Sequence, residues 1–308
     1  ESNTGGPVLS GITTFSGQQY FIPPKGTTAE RPSDCPPGSI RFNTDTAHLE
    51  YWQGTVWLEF EASSEELGQG TSGDAGTGIR AIIYMGFSSP SNLNTINALN
   101  MANGGTATDF GNSSITARQQ GSCASSTRGL RAGGYVSAFS DVIDFVTISS
   151  TGDATDFGNL TQARGGYLGS ISNNTRGLFA GGYKDGPATR YNIIDYVTIA
   201  QTGNAVDFGD LTATKSAPGN GVASPVRGVF FGGYTPTQLN SIDYITISTL
   251  GNAQDFGDCT STVRSGAGAS NATRGLYMGG QRSPLTHTNV IEFITIASTG
   301  NAQDFGDL

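Results

Sequence analysis

Two ionisable residues recur along this chain at nearly constant spacing. Arginines stand at Arg80, Arg128, Arg176, Arg227 and Arg274, and aspartates at Asp109, Asp156, Asp207, Asp255 and Asp304. Successive arginines are 48, 48, 51 and 47 residues apart. A ring of guanidinium groups could grip an anion, since each presents a planar fork of donors. Equivalence from copy to copy favours a structural use instead: one ion pair or one arginine-to-carbonyl clamp per unit, bridging neighbouring units. The aspartates sit in Asp-Phe-Gly, but without the Gly-rich and catalytic loops that phosphoryl transfer requires.

Other catalytic chemistry is poorly supplied. His48 and His287 are the two histidines, and Cys35, Cys123 and Cys259 the three cysteines. None lies at metal-site spacing from another, so no metal and no cofactor are expected, and the thiols are expected to be free. Glycoside hydrolysis would need a converging pair of carboxylates, of which the spacing gives no sign. The chain reads as a non-enzyme.

Binding chemistry is better represented. Five connections differ in every copy, at 88–95, 136–142, 184–193, 235–241 and 282–290. Function tends to sit on such loops when a rigid scaffold holds them. Lys184, Arg190, Tyr191, Gln238, Asn240, Arg282 and His287 lie in them and combine donors with stacking surfaces, as carbohydrate recognition requires.

The scaffold is a fivefold repeat. RAIIYMGF, RGLRAGGY, RGLFAGGY, RGVFFGGY and RGLYMGGQ open the copies. NALNM, IDFVTI, IDYVTI, IDYITI and IEFITI follow, and GTATDFGN, GDATDFGN, GNAVDFGD, GNAQDFGD and GNAQDFGD close them. The opening run predicts a buried strand ending where two backbones approach closely, hence the Gly pair. IDYVTI, β-branched and aromatic with alternating faces, predicts a second strand. A third lies around Val206 to Phe208, after the Thr-Gly-Asn turn at 202–204. The linking residues, rich in Gly, Ser, Ala and Thr, leave room for a fourth. Gly reaches 45 of 308 residues, about twice its usual share, which suits short strands and tight turns better than helices.

Four short strands per roughly 48 residues is the arithmetic of a β-propeller blade. The Gly pair after an apolar strand, the aromatic-bearing strand and the closing aromatic resemble the kelch family over residues 79–308. Phe110, Phe157, Phe208, Phe256 and Phe305 stand where kelch repeats usually carry Trp. The resemblance implies an all-β, kelch-like propeller of five repeats, with the variable loops on one face of the disc. The sequence leaves open whether five repeats close the ring or others lie beyond Leu308.

Residues 31–60 have a different pattern. SIRFN, HLEYW and TVWLEF predict a three-stranded meander, too small to be stable alone. It is expected to trimerise, to dock on the propeller or to plug into a partner. The residues Pro37, Gly38, Ile40, Arg41, Phe42, Asn43, Thr44, Leu49, Tyr51, Trp52, Gly54 and Trp57 resemble a short module of tailed-bacteriophage fibre and other virion proteins. The Gly-rich repeats ending in Asp-Phe-Gly-Asp-Leu are similar to virion proteins of marine cyanobacterial phages. These resemblances imply an attachment segment at 1–66, a Gly-rich linker at 67–79 and a propeller at 80–308. The implied protein sits on the virion exterior or an appendage, bound to other virion proteins, with a homotrimer as one implied assembly, and contacts host-surface glycan or protein. Capsid or neck decoration is the structural alternative within that setting.

Bulk properties narrow the partners. The formal net charge is −9, and the 16 basic residues form no cluster. A nucleic-acid partner is therefore not expected. Apolar runs are too short to span a bilayer as helices, and the N-terminus has no basic start or apolar core of a signal peptide. It also lacks an initiator Met, so the chain is expected to be trimmed or part of something longer.

Overall fold

The computed structural model describes residues 23–46, 48–60, 80–84, 86–101, 105–184, 189–216, 218–219, 221–282 and 286–308. Apart from a single 3-10 turn at Thr28–Glu30, the regular structure among them is all β. The chain divides into two compact units, Glu1–Ser63 and Ser64–Leu308. The linker expected at 67–79 lies outside the described residues.

The first unit holds the expected meander, Ile40–Asn43, His48–Trp52 and Trp57–Glu59, in antiparallel register. It gains a fourth strand: Lys25–Gly26 pairs in parallel with Phe42 and Asn43. Burial is inverted relative to a usual half-buried sheet. Arg41, Asn43 and Glu50 are the buried residues, whereas Ile40, Leu49, Leu58 and Phe60 are exposed. Polar burial needs partners, and Arg31 from the preceding loop supplies one. Its Nη2 and Nε lie 2.6 and 2.9 Å from Glu50 Oε2, and Arg41 Nε lies 3.4 Å from Glu50 Oε1. Burial pushes the Glu50 carboxyl up, but hydrogen bonds from Arg31 and Asn43, with the charges of Arg31 and Arg41, hold it below its ordinary value.

The second unit is a succession of antiparallel sheets, one main sheet per repeat, with an additional two-stranded sheet in the first repeat, Phe87–Ser88 with Ser91–Asn92, and in the third, Tyr183–Lys184 with Thr189–Arg190. In the second repeat the strands are Gly121–Ala124, Arg128–Ala132, Val142–Thr147 and Thr155–Asn159, paired in chain order. The third repeat follows with Gly169–Ser172, Arg176–Ala180, Ile193–Thr198 and Val206–Asp210, and the fifth with Ala267–Ser270, Arg274–Met278, Val290–Thr295 and Gln303–Asp307. The expected small-residue strand is thus the first of each sheet, drawn from the linking segment.

Two sheets depart from four strands. The first has three, Arg80–Tyr84, Thr95–Asn100 and Thr108–Asn112. The fourth, built on Val222–Ala223, Arg227–Phe231 and Leu239–Thr246, is widened to six. Its strand Gln254–Arg264 runs long enough to pair with Gln281–Arg282, which pairs in turn with Thr286–His287.

There is no single core. Apolar clusters form between successive sheets: Leu130, Ile143 and Phe157 of the second repeat pack with Leu168, Phe179 and Val197 of the third. Equivalent clusters join the first to the second, the third to the fourth and the fourth to the fifth. Each sheet is therefore stabilised by its neighbours, as in a linear repeat array.

A β-bulge directs the closing Phe into these clusters. Ile143 pairs with Gly158 and Asp144 with Asp156, leaving Phe157 as the extra residue. The same shift recurs in all five sheets. Gly158 follows at φ 146°, and a Cβ there would lie 2.4 Å from Gly203 O of the next repeat. Conformation and packing both require Gly.

Candidate functional site

The five repeated arginines and the five repeated aspartates do not meet. No ion pair joins the two sets among the described residues, and all five aspartates are exposed. The arginines act as carbonyl clamps. Arg80, Arg128, Arg176 and Arg227 each donate from Nη1 to a backbone oxygen of the following repeat, at Ile148, Ile199, Ile247 and Ile296, over 2.6 to 2.9 Å. Each guanidinium also lies over a ring of its own repeat, as Arg128 does 4.4 Å from the Phe145 centroid. In the first repeat Ala98 replaces that ring, and Arg80 reaches Phe110 at 5.9 Å.

The buried ion pairs use other residues, which sequence reading missed. Asp144, Asp195, Asp243 and Glu292 occupy the second position of the Ile-Asp-aromatic strand and are fully enclosed. Each accepts from a residue of the preceding linking segment: Ser114, Thr161, Thr212 and Thr260 bind through both hydroxyl and backbone N–H. Each is also neutralised by one cation, but the cation comes from three different places. Arg131, in the strand after Arg128, serves Asp144 at 2.9 Å. Arg164 and Lys215, from linking segments, serve Asp195 at 2.8 Å and Asp243 at 2.9 Å. Arg282, beyond the Gly pair, serves Glu292 at 2.5 Å. The acid recurs in the sequence; its partner shifts position, which hid the pairing.

Of the loop candidates, Arg282 is committed through Nη1 to Ser261 and through Nη2 to Glu292, and among the described residues its Nε is buried without a partner. Asn240 and His287 are exposed; Lys184 and Tyr191 are half-buried, with Lys184 paired to Thr189 across a short hairpin. Residues 185–188 and 283–285 of these loops lie outside the described residues. Arg190 and Gln238 converge on Tyr234. Arg190 lies 4.7 Å from the Tyr234 ring centroid, and Gln238 bridges to Tyr234 through the backbone. Among the described residues the Gln238 amide atoms and Arg190 Nε are buried without a hydrogen-bond partner.

Tyr234 belongs to a larger arrangement. The residue after each Gly pair, or its counterpart, is Phe87, Tyr135, Tyr183, Tyr234 and then Gln281. Arg118 fills the gap between the first two, 4.8 Å from Phe87 and 5.2 Å from Tyr135. Phe139 links Tyr135 to Tyr183 edge-on, at 5.2 and 5.1 Å. Arg190 pairs with Tyr183 in the hairpin register, and Arg264 covers Tyr234 at 4.4 Å while donating to Gln281 Oε1. The result is a belt of aromatic and guanidinium groups that runs from Phe87 of the first repeat to Gln281 of the fifth. Phe87, Tyr135, Tyr183 and Tyr234 were visible in the repeated motif, whereas Phe139 stands in a variable connection. Arg118 and Arg264 were not visible, because Gly165 and Ser216 hold the same position in the other linking segments.

Among the described residues, no cluster of three His, Cys, Asp or Glu could hold a metal ion. Among the described residues no helix is long and apolar enough to cross a membrane. No protein-family model matches the chain, and no curated protein matches it.

Proposed function

We propose that the five sheets are blades of a kelch-like propeller displayed on a virion of a tailed bacteriophage, and that the aromatic–guanidinium belt binds host-surface glycan without catalysis. The belt carries this reading. Aromatic faces suit the apolar face of a sugar ring, while guanidinium and amide groups suit its hydroxyls and any carboxylate or sulfate. Arg190, Tyr234, Gln238 and Arg264 gather these groups in one place. The absence of catalysis rests on the acids: Asp144, Asp195, Asp243 and Glu292 are enclosed and neutralised, a state unsuited to proton transfer with substrate.

The first unit attaches the protein to other virion proteins in this reading, through the exposed face bearing Ile40, Leu49, Leu58 and Phe60. Exposed apolar patches of this kind mark association surfaces. A glycan array probed with the full chain tests the binding role. Binding by the parent with at least ~10-fold weaker binding by Tyr234→Ala and Arg190→Ala is expected; equal binding by all three removes the belt from the site.

A second reading, decoration with a purely structural role, is favoured by one observation. The guanidinium groups of Arg118 and Arg264 are already stacked on rings, as an internal clasp between repeats would require. Immunogold microscopy of virions separates the two: label at fibre tips supports host contact, label over capsid or neck supports decoration.

A further inference from the structure

Among the described residues, three that are not glycine have left-handed backbone: Gln119, Tyr167 and Ser265, at φ 60°, 61° and 57°. They hold one place in the repeat, two residues before the first strand of the second, third and fifth sheets. L side chains are crowded in this conformation, and most residues avoid it. The fold thus imposes a backbone at this place, yet it accepts an amide, a phenol or a hydroxyl there. A side chain that varies while its backbone does not is not chosen by the packing of the repeat.

Tyr167 is the unusual member. Asn would suit this backbone better, because a short polar side chain can bond locally there, whereas a bulky ring suits it poorly. The ring gains little from the rest of the chain. It is 50 % exposed, and among the described residues it stacks on no ring or guanidinium and its hydroxyl has no hydrogen-bond partner. By contrast, Tyr135, Tyr183 and Tyr234 of the belt are half-buried, and each has a ring or a guanidinium against it. Tyr167 is nevertheless fixed beside them. Its N–H donates to Gln119 O at 3.2 Å, and Gln119 Oε1 accepts from the Tyr183 hydroxyl at 3.3 Å. The preceding Gly166 lies so close to Tyr183 that a Cβ there would overlap its ring. A ring exposed at the edge of the belt, in a backbone that disfavours it and unused within the chain, is placed for a ligand.

We propose that Tyr167 is the stacking platform for a neutral pyranose ring of the bound glycan, with Gln119 beside it binding hydroxyls. The apolar face of a sugar ring matches an exposed phenol, and an amide both donates to and accepts from hydroxyls. The unit is neutral because Tyr167, Gln119 and Tyr183 carry no charge, whereas a carboxylate or sulfate would be drawn to Arg190 and Arg264. This role rests on the glycan reading of the belt. It extends that site to a residue outside both the Gly-pair motif and the variable connections.

A glycan array of neutral, carboxylated and sulfated glycans, probed with the full chain and with Tyr167→Asn and Tyr167→Trp at serial dilutions, tests this. Tyr167→Asn is expected to bind at least ~10-fold more weakly. Its melting temperature is expected to equal or exceed the parent's, because backbone strain is relieved and no packing is lost. Tyr167→Trp keeps a stacking face and is expected to retain the parent's affinity. Parent-like binding by Tyr167→Asn, with binding lost in Tyr234→Ala, overturns the platform and leaves the belt as the site. A lower melt for Tyr167→Asn also overturns it, because the ring then serves packing. Weakening confined to carboxylated or sulfated glycans overturns the neutral assignment. A parent that binds nothing on the array sinks the glycan reading itself, and the platform with it.

Discussion

Arg164 and Asp195 meet at 2.8 Å with both side chains fully enclosed, and they come from different repeats. Arg164 lies in the segment leaving the second repeat, Asp195 in the third strand of the third. The pair therefore ties two sheets together at a place water does not reach. Arg164 adds bonds to Gly181 O and Phe179 O, and Thr161 completes the carboxylate. Buried ion pairs are not strongly stabilising against a well-packed apolar alternative, but stranding one partner costs about 3–5 kcal/mol. Such a pair penalises misregistered sheet packing more than it adds to net stability.

The shifting origin of the cation yields the first prediction. In the second repeat Arg131 neutralises Asp144, and Ala117 fills the linking-segment position held by Arg164 in the next interface. Phe179 in turn holds the position of Arg131. Arg131→Phe alone should destabilise the second unit by about 3–5 kcal/mol, the cost of an unpaired buried carboxylate. Ala117→Arg with Arg131→Phe moves the cation to the position used by the neighbouring interface and should recover most of that loss. Urea unfolding of the two variants and parent measures it; a double variant no better than the single shows that the two positions are not equivalent.

The repeat, its strands and the arginine period could be read from residue type and spacing, because each copy restates the same local constraints. What eluded the sequence depends on contacts between copies. Nothing in the Ile-Asp-Tyr strand itself marks the acid as buried, yet Asp195 is enclosed because Thr161 and Arg164 of the preceding linking segment fold over it. The cations could not be found by period, since Arg131, Arg164 and Arg282 sit at three different offsets. The buried face of the first unit is likewise set from outside its strands: Arg31 makes it possible to bury Glu50, and the apolar residues Ile40, Leu49, Leu58 and Phe60 then face outward. Phe87, Tyr135, Tyr183 and Tyr234 of the belt were legible from the repeat, but Phe139, Arg118 and Arg264 beside them occur in only some copies.

Glycine after the closing Phe offers a comparison with an internal control. Gly158 and Gly306 share the same backbone conformation, φ 146° and 141°, so alanine at either carries the same conformational cost of roughly 1–3 kcal/mol. Gly158→Ala adds a collision with Gly203 O at 2.4 Å, whereas Gly306→Ala meets nothing. Thermal melts should show the larger loss for Gly158→Ala. Equal losses would mean that docking of the next repeat adjusts freely and does not dictate the residue.

Thiol chemistry should follow burial. Burial pushes the Cys123 thiol up to about 12 and raises Cys259 further still, whereas Cys35 is half-buried and free. Thiolate is the reactive form, so iodoacetamide at neutral pH should label Cys35 in the folded protein and spare the other two until denaturant is added. Mass spectrometry counts the adducts. Fast labelling of Cys123 in native protein would show that the packing between the second and third sheets opens readily.

Acid should unfold the first unit through Glu50. Its carboxyl is held below the ordinary glutamate value of 4.5 by Arg31, Asn43 and Arg41, which together outweigh the opposing effect of burial. A carboxyl with a depressed folded pKa contributes stability that is complete above its unfolded value. That contribution is lost as pH falls through the folded value. The unit should therefore be insensitive to pH from neutrality down to about 5 and weaken below 4.5. Both tryptophans of the chain, Trp52 and Trp57, lie here with ring centroids 5.6 Å apart, so tryptophan fluorescence reports on this unit alone. Glu50→Gln should lower stability at pH 7, because Arg31 and Arg41 lose their shared counter-charge, and should flatten the response below 4.5. An acid transition of unchanged steepness in Glu50→Gln would assign the pH sensitivity to another carboxyl.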